Sequence, residues 1–244
     1  MPQITIRMAE LNIGVECLCE ETLGFLSDYA VPCTAPDFSV AVNKADIKDE
    51  EERCRLQYDR EGLPYPNLSP ALLERTAVYR KIAKELPRFG AFVFHGSAVA
   101  VNDKAVVFTA PSGTGKTTHT RLWLKNVDGS YVVNGDKPIL RLIDGHVFIC
   151  GTPWRGKENM GKNTVVPLTG ICVLTRGKEN KIKSVPFLKV MPLLIGQTYR
   201  PPEQEAMNLT LRNLETVAEK TPLYLLACNT EDEAAAVSYN AMMK

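Results

Sequence analysis

Residues Ala105 to Trp123 read AVVFTAPSGTGKTTHTRLW: an apolar β-branched run, a glycine-rich turn ending in Gly115-Lys116-Thr117, and residues able to continue as a helix. A strand feeding a glycine turn and then a helix gathers several backbone N–H groups, orphaned at the helix N-terminus, around one concavity. The helix dipole adds to their attraction for an anion. The spacing therefore predicts a phosphate cradle over Ser112, Gly113, Thr114, Gly115, Lys116, Thr117 and Thr118, with Lys116 reaching the terminal phosphates and the Thr117 hydroxyl ligating Mg²⁺. The pattern G-x-x-x-x-G-K-S/T is met except at its first glycine, where Ala110 stands. The cofactors expected are ATP or a related nucleotide, and Mg²⁺.

Charge narrows the partners. Lys+Arg number 29 against 28 Asp+Glu, a net charge of +1, so no global field recruits nucleic acid or an anionic membrane. With 244 residues and 45% hydrophobic content the chain supports a sizeable core. The start, MPQITIRMAE, lacks a basic region followed by an apolar core, and no run approaches the length of a membrane span, so a cytoplasmic location is expected. The seven cysteines (Cys17, Cys19, Cys33, Cys54, Cys150, Cys172, Cys228) are odd in number and scattered, and read as reduced core thiols. Cys17-Leu-Cys19 has no second pair at zinc-site spacing.

Residues 1 to about 45 suggest short strands separated by turns at Pro32 and Pro36. Asp46 to Arg60 reads as a solvated helix face or a loop. Ser69-Pro70 has the form of an N-cap followed by a first-turn proline. A helix is expected to follow, with Leu72, Leu73, Thr76, Tyr79, Ile82, Ala83 and Leu86 on its packed stripe and Pro87 at its end. AFVFHGSAVAV and KAVVFT read as two strands joined at Asn102-Asp103, which brings His95 near the phosphates. Next come a strand over Tyr131 to Asp136, a hairpin closed by Asp144-Gly145, and a loop from Gly151 too rich in glycine and charge to be buried. Gly170 to Thr175 and Ile182 to Val185 read as a strand pair. Helices are expected over 187 to 198 and 203 to 220, a buried strand over Leu223 to Cys228, and a closing helix from Glu231.

Three positions carry alternatives. Asp136 at a strand end is suited to hold metal or to accept a proton, and is equally an ordinary turn former after Gly135. His95 in an apolar run is either a core histidine or a ligand. Arg155, Lys157 and Lys162 either clamp phosphate or an acidic acceptor, or form a solvated basic loop.

The run HGSAVAVNDKAVVFTAPSGTGKTTHTRLW resembles the superfamily joining HPr kinase/phosphorylase and phosphoenolpyruvate carboxykinase, over roughly residues 90 to 230. The resemblance implies an α/β fold, a carboxykinase-like mixed sheet with flanking helices, over 89–244, with an N-terminal α+β region over 1–88. It implies that His95, in the context His95-Gly-Ser-Ala, is a metal ligand together with Thr117 and Asp136. It further implies that Asp136, Lys116 and His95 carry the catalysis and that Lys157 contacts nucleotide. Gly135-Asp136-Lys137 departs from the family, supplying one carboxylate where it has two.

Three functions are then in view. The first is an Mg²⁺-dependent kinase that moves phosphate from a nucleotide to a hydroxyl of a small molecule, peptide or protein serine. The second is a nucleotide-binding sensor without turnover, motivated by Ala110 and Lys137. The third is a carboxykinase acting on oxaloacetate, which needs further arginines and a longer chain. The family's oligomers imply a homo-oligomer.

Overall fold

Ala9 and Glu10 both adopt left-handed backbone, φ 52° and 57°. That geometry matches strand twist, and it folds β1 (Gln3–Met8) onto β2 (Leu11–Glu16) as an antiparallel pair. The computed structural model describes residues 2–32 and 35–243 and divides into two units, Met1–Glu85 and Leu86–Lys244. In the first unit β3 (Phe38–Ala41) joins β2 in parallel, and Ile6, Met8, Ile13, Val15 and Val40 are buried at alternate positions. Between β2 and β3 runs a short helix, α1 (Glu20–Leu26), where only strands were expected. Its N-terminus is held from a distance, because buried Glu74 accepts from the N–H groups of Leu18 (2.5 Å) and Cys19 (3.0 Å) and from the Thr22 hydroxyl (2.6 Å). A cap supplied by another element leaves no local signature.

The charge-dense stretch is a helix, α2 (Lys44–Glu61), started by a capping box between Asn43 and Asp46. α3 (Pro70–Glu85) begins after Ser69, whose hydroxyl accepts from Leu72 N–H at 3.3 Å. Leu73, Ile82, Ala83 and Leu86 of the expected stripe are buried, but Leu72 is 45% exposed, and Glu74, Ala77 and Val78 are buried in addition. Glu74 draws the face round to cap α1, and Glu50 of α2 pairs with Arg80 at 2.5 Å.

The second unit is a curled mixed sheet with flanking helices. Its strands are β4 (Ala91–Val93), β5 (Ser97–Val101), β6 (Lys104–Thr109), β7 (Tyr131–Asn134), β8 (Ile139–Ile143), β9 (His146–Cys150), β10 (Val165–Arg176), β11 (Lys181–Ser184) and β12 (Leu223–Cys228). Its helices are α4 (Lys116–Asn126), α5 (Phe187–Gln197), α6 (Gln204–Lys220) and α7 (Glu233–Met242). The main path runs β4-β8-β9-β10-β6-β5-β7, with β12 on the other edge of β10 and β11 outside it. Residues 91 to 101 are not one strand but two. Phe94 N–H goes to Pro138 O and His95 N–H to Gln197 O, which takes this backbone off the ladder and sends β4 to β8 and β5 to β6. β11 pairs with β12 rather than with β10, whose edges are already occupied by β6 and β12.

The apolar runs are continuous because this sheet is covered on both faces. Ala105 and Val107 of β6 pack with Val190, Leu194, Leu214 and Val217 of α5 and α6, while Val106 and Phe108 pack with Trp123 of α4 and Ala235 and Met242 of α7. Cys17, Cys150 and Cys172 are buried. Cys19, Cys54 and Cys228 are only partly so, and all six are free thiols; Cys33 lies outside the described residues. Among the described residues no helix is long and apolar enough to cross a membrane.

Ser238 of α7 ties down α4. Its hydroxyl lies 3.1 and 3.0 Å from the Ala234 and Ala235 carbonyls, and accepts from Trp123 Nε1–H at 2.8 Å. His119 Nε2 stands 3.0 Å away. With the hydroxyl proton used on the helix backbone, the satisfied arrangement puts the imidazole proton on Nε2. Burial holds the His119 pKa down to about 4, against 6.5 in the unfolded chain. The unfolded chain therefore takes up a proton in this range that the native state refuses, and stability falls as pH drops below 6.5. Between pH 7 and pH 5 the loss is about 2 kcal/mol from this residue alone. Urea titrations at the two pH values should show it in wild type and not in His119→Gln; equal losses in both would remove His119 as the cause.

Candidate active site at one edge of the sheet

β6, β10 and β12 are parallel, β5 is antiparallel to β6, and β7 is antiparallel to β5. The ends of β7, β6, β10 and β12 and the start of β5 therefore share one edge. Along it lie Asp136 after β7, His95 before β5, the 110–115 loop after β6, Arg176 at the end of β10, and Asn229-Thr230 after β12. Residues distant in sequence are brought together by strand order, and the Thr109 hydroxyl links two of them by donating to His95 O at 2.9 Å.

The loop needs its glycines. Gly113 and Gly115 have φ of 74° and 124°, and Gly115 leads directly into α4. Ala110 lies outside the left-handed region, so a methyl group there costs no backbone strain. Lys116 folds back and donates to Ala110 O at 2.9 Å, which sets its ammonium beneath the loop. Burial pushes the Lys116 pKa below the ordinary lysine value, with the Asp136 charge opposing.

Asp136 is placed by a residue that the sequence reading passed over. Buried Asn134 accepts with its side-chain oxygen from the N–H groups of Asp136 (2.9 Å) and Lys137 (2.7 Å), and donates to Thr152 O (3.1 Å) and Oγ1 (3.0 Å). The Asp136 carbonyl accepts from Gly96 N–H at 3.1 Å. Asn134-Gly-Asp136 was a legible Asx turn, but the depth of its asparagine was not. Asp136 Oδ1 lies 3.4 Å from His95 Nε2, and Oδ2 accepts from Lys137 Nζ at 2.6 Å. The His95 side chain is 40% exposed, so it faces the site and not the core. Burial and then the Lys116 charge drive its pKa below 6.5, with Asp136 opposing, so the imidazole is neutral at pH 7.

The loop from Gly151 is not wholly exposed. Gly151, Thr152 and Pro153 are buried because Asn134 needs Thr152, and the Met160 carbonyl and Lys162 N–H pair with Gly135 and Val133. Gly156, at φ 73°, covers Asp136 so closely that an added Cβ would stand 2.8 Å from the Asp136 Cβ. The three basic candidates part company here. Lys162 lies over the Tyr131 ring at 4.5 Å, Lys157 is exposed with no ion pair among the described residues, and Arg155 is half-buried. Beside the turn, Arg121 pairs with Glu158.

A divalent metal would find hard oxygen donors of the kind Mg²⁺ prefers. The Thr117 hydroxyl engages no partner among the described residues, and the Asp136 carboxylate is 23% exposed, with Lys137 as its internal competitor. Among the described residues no cluster of three His, Cys, Asp or Glu side chains is suited to a metal. Arg176, which sequence reading missed, donates from Nη2 to Gly113 O at 2.8 Å. An arginine at a strand end carries no local motif.

No protein-family model matches the sequence, and neither does any curated protein. Among solved structures the chain is distantly similar in fold to the Hpr(Ser) kinase/phosphatase from Coxiella burnetii. The identity is 11%, 62% of this chain and 96% of that one are covered, and the TM-score is 0.35.

Proposed function

We propose that the chain binds a nucleoside triphosphate on the 112–118 loop and transfers its terminal phosphoryl group to a hydroxyl of a small molecule, peptide or protein serine. The observation that supports this is the electrostatic cluster of His95, Lys116 and Asp136 at the mouth of the loop. Cradle amides and Lys116 hold the phosphates and stabilise charge that grows on them. Asp136 accepts the hydroxyl proton as the new O–P bond forms, and the bond to the departing diphosphate breaks. Thr117 and Asp136, with His95 beside them, would hold Mg²⁺, which would supply charge neutralisation at the terminal phosphates.

The test is transfer of label from γ-labelled ATP with Mg²⁺ to a panel of hydroxyl metabolites and serine peptides. Wild type should label at least one, and Lys116→Ala should lose nucleotide binding. Demonstrable nucleotide binding without any transfer would reject the kinase.

One observation favours a sensor without turnover: Lys137 Nζ sits 2.6 Å from the only carboxylate of the cluster, where it opposes metal. On that reading Lys137→Asp creates turnover that wild type lacks. Appreciable wild-type turnover removes it.

A further inference from the structure

On the β10 and β12 side of the loop, away from Asp136, lies a cavity of about 410 Å³. The loop residues Gly113 to Gly115 form one side, Leu174, His119 and Cys228 line it, and Arg176, Asn229 and Thr230 complete it. Its volume is in the range of small-molecule sites. We infer that this cavity is the nucleoside subsite, holding the base and ribose of a nucleotide whose phosphates lie on the loop. The inference rests on the phosphate-binding role proposed for that loop.

Strand order argues for the direction. His95 and Asp136 cluster on the β5–β7 side of β6, and Lys116 senses the Asp136 charge. The terminal phosphate belongs there, so the remainder of the nucleotide runs the opposite way along the edge, past Gly113 toward β10 and β12.

The lining has the chemistry that a nucleoside needs. Leu174 is 2% exposed and supplies an apolar surface. Arg176 spends one donor on Gly113 O, and its planar guanidinium suits stacking on a base. His119, also 2% exposed, adds a ring to the lining.

The test compares ATP, CTP and inorganic tripolyphosphate by calorimetric titration of the full chain. Wild type should hold at least one nucleoside triphosphate about tenfold or more tighter than tripolyphosphate. Thr230→Trp, an exposed position that fills the cavity, should bring nucleotide affinity down to that of tripolyphosphate and leave the latter unchanged. Equal wild-type affinities for nucleotide and tripolyphosphate, both lost in Lys116→Ala, would overturn the subsite and leave the phosphate cradle standing. A wild-type preference that survives in Thr230→Trp would place the nucleoside elsewhere and overturn it too. Binding of neither ligand would bring down both the subsite and the cradle.

Discussion

Asp136→Asn leaves the protein folded and nucleotide bound while lowering phosphoryl transfer by about 10²-fold or more, the usual scale for losing a positioned acid or base. The turn does not depend on the carboxylate. Asn134 holds the N–H groups of residues 136 and 137, and Gly96 N–H meets the carbonyl of residue 136, so main-chain bonds keep the side chain aimed whichever residue carries it. What disappears is the charge that faces His95 at 3.4 Å and pairs with Lys137 at 2.6 Å, the charge proposed to receive the proton. Melting temperature, nucleotide affinity and transfer rate should be measured together on the variant. A rate within twofold of wild type would exclude Asp136 from the chemistry. Loss of nucleotide affinity as complete as in Lys116→Ala would assign it to binding instead.

Trp123→Ala removes about 3–5 kcal/mol, the cost of emptying a fully buried large aromatic site. Trp123 is 0% exposed, contacts the rings of Phe108 and Tyr239, and donates to Ser238 of α7. The melting temperature should fall on the order of 10 °C for a unit of this size. Because the lost contacts anchor the helix that starts at Lys116, the variant should also bind nucleotide more weakly well below its melting point. Unchanged affinity in the folded variant would show that the loop does not depend on this anchor. A melting temperature within about 2 °C of wild type would contradict the burial argument.

How legible the site was depends on how locally each residue is determined. The turn at Gly113 and Gly115 could be read directly, because both take positive φ and α4 follows at once from Lys116. Asn102-Asp103 and Asp144-Gly145 were equally plain as tight turns, and both pairs adopt positive φ. Arg176 was not legible, since it acts on Gly113, which only the sheet brings near it; Asn134 acts on its own turn, and what stayed hidden was its burial against Thr152. The alternative for His95 as a core residue failed for the same reason. Its apolar neighbours Val93 and Phe94 are buried, but the backbone leaves the ladder at Phe94 and the imidazole turns outward. Leu72 shows the limit of periodicity: a buried Glu74 engaged with α1 outweighed it in setting the face of α3.

By itself, then, the sequence determined the local matters: a strand, a glycine turn and a helix, with Lys116 at the helix start. Steric demands on φ and the orphaned donors of a helix start act over a few residues, and so they are written in a few residues. Tertiary structure alone decided what stands on either side of that turn. The order β7-β5-β6-β10-β12 puts His95 and Asp136 toward one end and Arg176 and the cavity toward the other. Strand order depends on which apolar faces cover one another across more than a hundred residues, and no short run of sequence records it.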